Sequence, residues 1–125
     1  MLIKKFFKKI GEEKNWTFGK YYTFGYENDY FVQVRHEGIS KVILIHYQLE
    51  GNNEKLNMLQ IVVKENMRKI KIKDYQVNQD GIVIFPNEFW RTLNAEKLQS
   101  ILDFVIPRLI EIGLKPSVED VVIEE

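Results

Sequence analysis

The sequence predicts a single α+β domain: a twisted antiparallel sheet of about five strands with helices packed on it, in the order α-β-β-β-α-β-β-α. Three observations carry this. The apolar spacing switches back and forth between a helical and a strand period. The 125 residues are 45% apolar and 29% charged, ordinary for one globular unit and too apolar for a disordered chain. A polar Asn78-Gln79-Asp80-Gly81 turn, with Asp80-Gly81 suited to a tight hairpin, separates two short apolar runs. A chain of this size buries about two-thirds of its unfolded surface, so it needs no metal or disulfide staple.

Leu2, Ile3, Phe6, Phe7 and Ile10 form one stripe, with Lys4, Lys5, Lys8 and Lys9 opposite, which predicts a short amphipathic helix ending near Gly11. So short a helix is marginal alone and must dock on its own sheet, a second subunit or a membrane surface. From Trp16 the period becomes two. Trp16, Phe18, Lys20, Tyr22, Phe24 and Tyr26 share one parity, while Gly19 and Gly25 on the other parity mark a bulge or a close approach. Glu27-Asn28-Asp29 turns the chain into a strand at Tyr30–Arg35, and Glu37-Gly38 turns it into Lys41–Leu49. The Val42–Ile45 run in the latter predicts burial on both faces.

Residues 54–69 admit two readings. Leu56, Leu59, Val63 and Met67 lie on one helical stripe that Asn52 or Asn53 would cap, whereas Ile61-Val62-Val63 would suit a strand beside 41–49. The helix is the favoured reading. A strand over Ile70–Val77 pairs with Ile82–Phe85, which Pro86 ends. Asn94 caps the last helix, Leu98, Ile101, Leu102, Val105, Leu109 and Ile112 form its apolar stripe, and Gly113 stops it. Pro107 lies inside and should kink it. Residues 1–115 thus form the domain, and 116–125 an acidic tail read as a mobile arm or a short strand.

Eighteen Lys and Arg balance eighteen Asp and Glu. Zero net charge disfavours a dedicated duplex binder, which sets several cations against phosphates. The ends differ, with net +4 over residues 1–20 and net −4 over 111–125, so head-to-tail attraction within or between chains is an alternative to two solvated ends. Without cysteine there is no disulfide, thiolate metal site or thiol nucleophile. Charges interrupt the first apolar residues too often for a signal-peptide core, and no run is long enough to span a membrane. A cytoplasmic location is expected.

The inventory of reactive groups is poor. His36 and His46 are the two histidines, and a zinc site joining them to Glu37 or Glu50 would lack the helical spacing of a zinc motif. None of Ser40, Ser100 and Ser117 sits in a nucleophile elbow, and no glycine-rich phosphate loop occurs. A non-enzymatic chain with no cofactor is expected. The local excess is aromatic: eight of the sixteen aromatic residues fall within residues 16–31. They read either as core packing, as a surface for a protein or peptide, or as stacking platforms for single-stranded nucleic acid fed by Lys4–Lys20. Protein binding is the leading functional reading, with Phe7, Trp16, Tyr22, Phe24 and Trp90 as contacts and a homodimer as one form of it. The nucleic-acid module is the alternative, disfavoured by Glu12, Glu13, Glu27 and Asp29 nearby.

In element order the chain resembles the type III secretion chaperone-like fold, and within it the bacterial YbjN family. The resemblance rests on residues 56–110: a helix ending in Glu65-Asn66-Met67, the hairpin Tyr75–Ile84, the Pro86–Leu93 loop and the amphipathic helix from Asn94. It implies a twisted antiparallel sheet flanked by helices and a dimeric chaperone or regulator without catalytic residues. The secretion chaperones tend to be acidic, and this chain departs from them in its neutral balance.

Overall fold

Three helices and seven strands follow one another as α1 (Leu2–Lys14), β1 (Thr17–Phe18), β2 (Tyr22–Glu27), β3 (Tyr30–Glu37), β4 (Ser40–Gln48), α2 (Glu54–Asn66), β5 (Ile72–Asn78), β6 (Gly81–Pro86), α3 (Ala95–Ile112) and β7 (Lys115–Pro116). This is a computed structural model, which describes residues 2–38, 40–88 and 92–117. Five main strands, β2 to β6, carry the sheet, and the two-residue strands β1 and β7 extend it. The sheet is antiparallel throughout, ordered β1-β2-β3-β4-β6-β5, with β7 added to β4.

The register sorts the side chains into two faces. Val34 pairs with Thr23 and Ile43, Val32 with Gly25 and Ile45, and these residues continue into Ile82 and Ile84 of β6. That face holds the core. Val32, Val34, Ile43, Ile45, Ile82 and Ile84 form one cluster with Phe7 and Ile10 of α1, Leu59 and Val63 of α2, and the buried stripe of α3. All three helices therefore cover the same side. Tyr30 and Tyr47 are buried there too, and each donates its hydroxyl proton to a carbonyl, of Leu114 at 2.6 Å and of Asn78 at 2.5 Å. Burial raises both phenol pKa values, so the rings stay neutral donors.

Within residues 54–69, Glu54–Asn66 are helix and the last three residues are a turn. Asn53 stands at the N-cap without a side-chain bond, while the Asn52 side chain accepts from the Glu54 amide at 3.0 Å. The β-branched Ile61-Val62-Val63 triplet coils because Leu59 and Val63 have α3 and the sheet to pack against; tertiary burial outweighs a propensity difference well under 1 kcal/mol per residue. In α3, Asn94 accepts from the Lys97 amide at 2.7 Å, and Gly113 takes the left-handed conformation at φ 93°. The helix continues through Pro107.

Three sequence expectations are corrected. The first helix does not end at Gly11 but runs to Lys14, and Asn15 turns out of it at φ 58°. Gly11 is needed for space: a Cβ there would lie 2.6 Å from Phe18 Cδ1. The alternating run 16–26 is not one strand. It folds back at 19–21 so that β1 and β2 pair, Thr17 with Phe24 and Phe18 with Thr23. Gly19 permits this, since a Cβ would meet the Tyr22 ring at 2.4 Å. The same period runs through the bend, so side-chain alternation does not reveal it. The β5–β6 loop is Gln79-Asp80 rather than Asp80-Gly81, because Gly81 already pairs with Asn78. Gly81 serves close strand approach, as a Cβ would sit 2.8 Å from the Ile45 carbonyl oxygen. The tight turn with two left-handed residues is instead Asn28-Asp29, at φ 49° and 71°. Of the predicted tail, Lys115–Pro116 pairs with β4, and residues 118–125 lie outside the described residues.

Candidate functional site

The second face of the sheet carries no helix among the described residues. Strand alternation places Tyr22, Phe24 and Tyr26 of β2 on it, and register continues it through Phe31 and Gln33 of β3, Val42, Leu44 and His46 of β4, and Val83 of β6. The rings form a connected row. Tyr22 stacks on Phe24 at 5.9 Å, Phe24 meets Phe31 at 5.6 Å, and Phe31 meets Tyr26 at 5.3 Å and His46 at 5.4 Å. These are ordinary aromatic pair distances. Phe31, Gln33 and Val42 are buried, Tyr22, Phe24, Leu44 and His46 are half-buried, and Tyr26 stands 62% exposed.

Exposed Arg35, opposite Tyr22 and Val42, puts a charge at one end of this surface, and a polar pair lies within it. The Gln33 side-chain nitrogen lies 2.6 Å from His46 Nε2, with Gln33 itself 4% exposed. The Gln33 Oε1 has no partner among the described residues. Turning the amide over would merely exchange which end is orphaned, since His46 meets only one of them. An unpaired buried amide end costs about 1–3 kcal/mol, so the pair is a weak point in the face. Burial holds the His46 pKa below its ordinary value of 6.5, opposed by the charge of Asp80. Burial thus favours the neutral imidazole, whose Nε2 accepts from the Gln33 amide nitrogen or, with the amide turned over, donates to its oxygen.

That shift has a sign. The fold favours neutral His46, so its contribution is intact above about pH 6.5 and declines as the unfolded chain takes up the proton below it. Melting temperature is expected to fall as the pH drops below about 6.5, and His46→Gln to flatten that slope. Glu27 acts in a separate window. Burial raises its pKa, but hydrogen bonds from Lys14 and Gln99, with the Lys14 charge, outweigh this and lower it, so its contribution is lost only below about pH 4.5.

The five sequence-predicted contacts are divided. Tyr22 and Phe24 belong to the open face. Phe7 is corrected: it is fully buried in the core, where its edge meets Phe6 at 4.9 Å, and it has no surface to offer a partner. Trp16 is half-buried on the helix side, its ring so close above Gly25 that a Cβ there would lie 2.1 Å from Cδ1. Trp90 lies outside the described residues. Gln33 and His46 were missed as a pair because two strands join them. The one available signal was a glutamine among valines in a buried strand.

One cation of the nucleic-acid reading lies apart from its tyrosines. Lys14 is committed to Glu27 at 2.8 Å on the helix side, whereas Tyr22 and Tyr26 face the other way. Among the described residues, no three His, Asp or Glu side chains gather as a metal site, and no helix is long and apolar enough to cross a membrane. No family model, curated protein or solved structure matches the chain.

Proposed function

We propose that the protein is a non-enzymatic binding module that docks an apolar polypeptide segment on the open face of its sheet, a chaperone-like or regulatory role. The observation that carries this is the Gln33 amide, buried with one end unpaired at the middle of a row of aromatic rings. A peptide that lays an aliphatic or aromatic side chain beside Phe24 and Phe31 extends this row, and a shift of the Gln33 side chain toward it brings the unpaired end to a backbone group. Aromatic anchors of this kind concentrate binding energy.

Face docking is favoured over strand addition by the state of the edges. β1 has two residues. β5 carries Lys73 and Asp74 at an irregularity between Ile72 and Asp74, and the Asp74 carboxylate caps the Tyr75 amide at 2.8 Å. Short, charged and bulged edges resist strand addition. The element order that resembles the YbjN and secretion-chaperone folds supports the same reading.

Selection from a displayed peptide library tests it. Enriched peptides are expected to be rich in aromatic and aliphatic residues and to bind the Phe24→Asp variant at least about tenfold more weakly, the loss of one anchor contact. The melting temperature of that variant should stay close to the parent, since Phe24 is only half-buried. A library that yields no binder, or binders indifferent to both Phe24→Asp and Leu44→Asp, overturns the proposal. A doubled mass in light scattering that Phe24→Asp returns to monomer would identify the occupant as a second copy of the chain, against an unrelated peptide.

A further inference from the structure

A separate feature lies on the helix side, where the segment joining α2 to β5 faces the start of α3. A cleft of about 640 Å³ opens there, within the roughly 300–1,000 Å³ range of small-molecule sites. Among the described residues its walls carry Arg68, Lys69, Lys71 and Lys97 against one acid, Glu96. These cations come from two parts of the chain that are far apart in sequence. The nearby Glu88 is bonded by Lys41 at 3.2 Å and by the Leu93 amide at 2.8 Å, and its charge also reaches Lys97, so it offsets only part of the positive wall. Thr92 and Ser100 add hydroxyl donors to the same cleft.

From these observations we infer that the cleft binds a phosphate-bearing small molecule, of the size of a nucleoside phosphate, with Arg68, Lys71 and Lys97 gripping the phosphate. Arginine presents a planar fork to phosphate oxygens, and the lysines add point charges. Lys97 is held low for an ammonium, first by burial and then by the charge of Lys71, with Glu88 opposing. It donates a hydrogen bond to the Asn87 carbonyl, which fixes its stem beside the cleft. A bound anion relieves both the burial and the repulsion. Lys71 sits at φ 59°, a conformation most side chains avoid, and its carbonyl accepts from the Asn87 amide at 2.9 Å, which ties the basic segment to the loop before α3. A polymer is the less fitting ligand, because the cations line a concavity rather than a track along the surface.

Amide chemical-shift mapping of the full chain tests this, with inorganic pyrophosphate, adenosine diphosphate and a single-stranded oligonucleotide as separate probes. Pyrophosphate and the diphosphate are expected to give saturable shifts confined to residues 68–72 and 92–97. In Arg68→Gln/Lys71→Gln the affinity should fall at least about tenfold per lost charged contact, with the unliganded spectrum and melting temperature unchanged elsewhere. No saturable shift up to about 10 mM, an order above a millimolar site, overturns the inference. So do shifts that survive the double substitution, and binding of the oligonucleotide without either small phosphate. These residues lie away from the open face, so either site can fail while the other stands.

Discussion

Phe7→Ala is expected to lower the stability of the fold by about 3–5 kcal/mol, the range for deleting a fully buried phenylalanine ring. Phe7 has no exposed surface and joins α1 to a core shared with β3, β4 and α3. Whole domains are stable by only about 5–15 kcal/mol, so this one substitution removes a large fraction of the total. Thermal denaturation should show a midpoint at least about 10 °C lower, or no cooperative transition. A change below about 1 kcal/mol would mean that α1 is not seated as described, and that its apolar stripe is free for a second molecule after all. The comparison with Phe24→Asp is the informative one: the first variant loses the fold, the second the binding.

Gly25→Val should be the second severe change, costing about 3 kcal/mol, at the upper end for overpacking. The indole of Trp16 lies where the new side chain would go, with contacts of 2.1–2.4 Å to a bare Cβ. Strand propensity alone predicts the opposite sign, because valine favours strands and glycine weakens them. Trp16→Ala in the same chain removes the collision, so the double variant should be clearly more stable than the sum of the two single losses. Simple additivity in urea denaturation would place Trp16 elsewhere.

Much of the architecture was legible in the residues. Asn94 and Gly113 bound α3 because capping is local chemistry, settled within a few residues of chain. The hairpins and the two-residue period announced an antiparallel sheet for the same reason. The apolar stripe of residues 54–69 was legible but not decisive. A triplet of β-branched residues argued for extension, and only the presence of α3 as a packing partner decided for the helix. The bend at 19–21 was hidden because the alternation continues across it. The division of the aromatic residues was hidden with it, since reversing β1 onto β2 sends Trp16 to the helix side and leaves Tyr22, Phe24 and Tyr26 on the other.

The sequence by itself determined the class of fold, the helix boundaries set by capping residues, and the poverty of reactive groups, because composition, period and caps act over short stretches of chain. Only the tertiary structure decided which rings share a face, that Gln33 meets His46, and that Arg68 and Lys71 stand across a cleft from Lys97. Several of these juxtapositions join residues distant in sequence, 13 positions for Gln33 and His46 and 29 for Arg68 and Lys97. Strand register and helix docking make them, and neither is written in any local pattern.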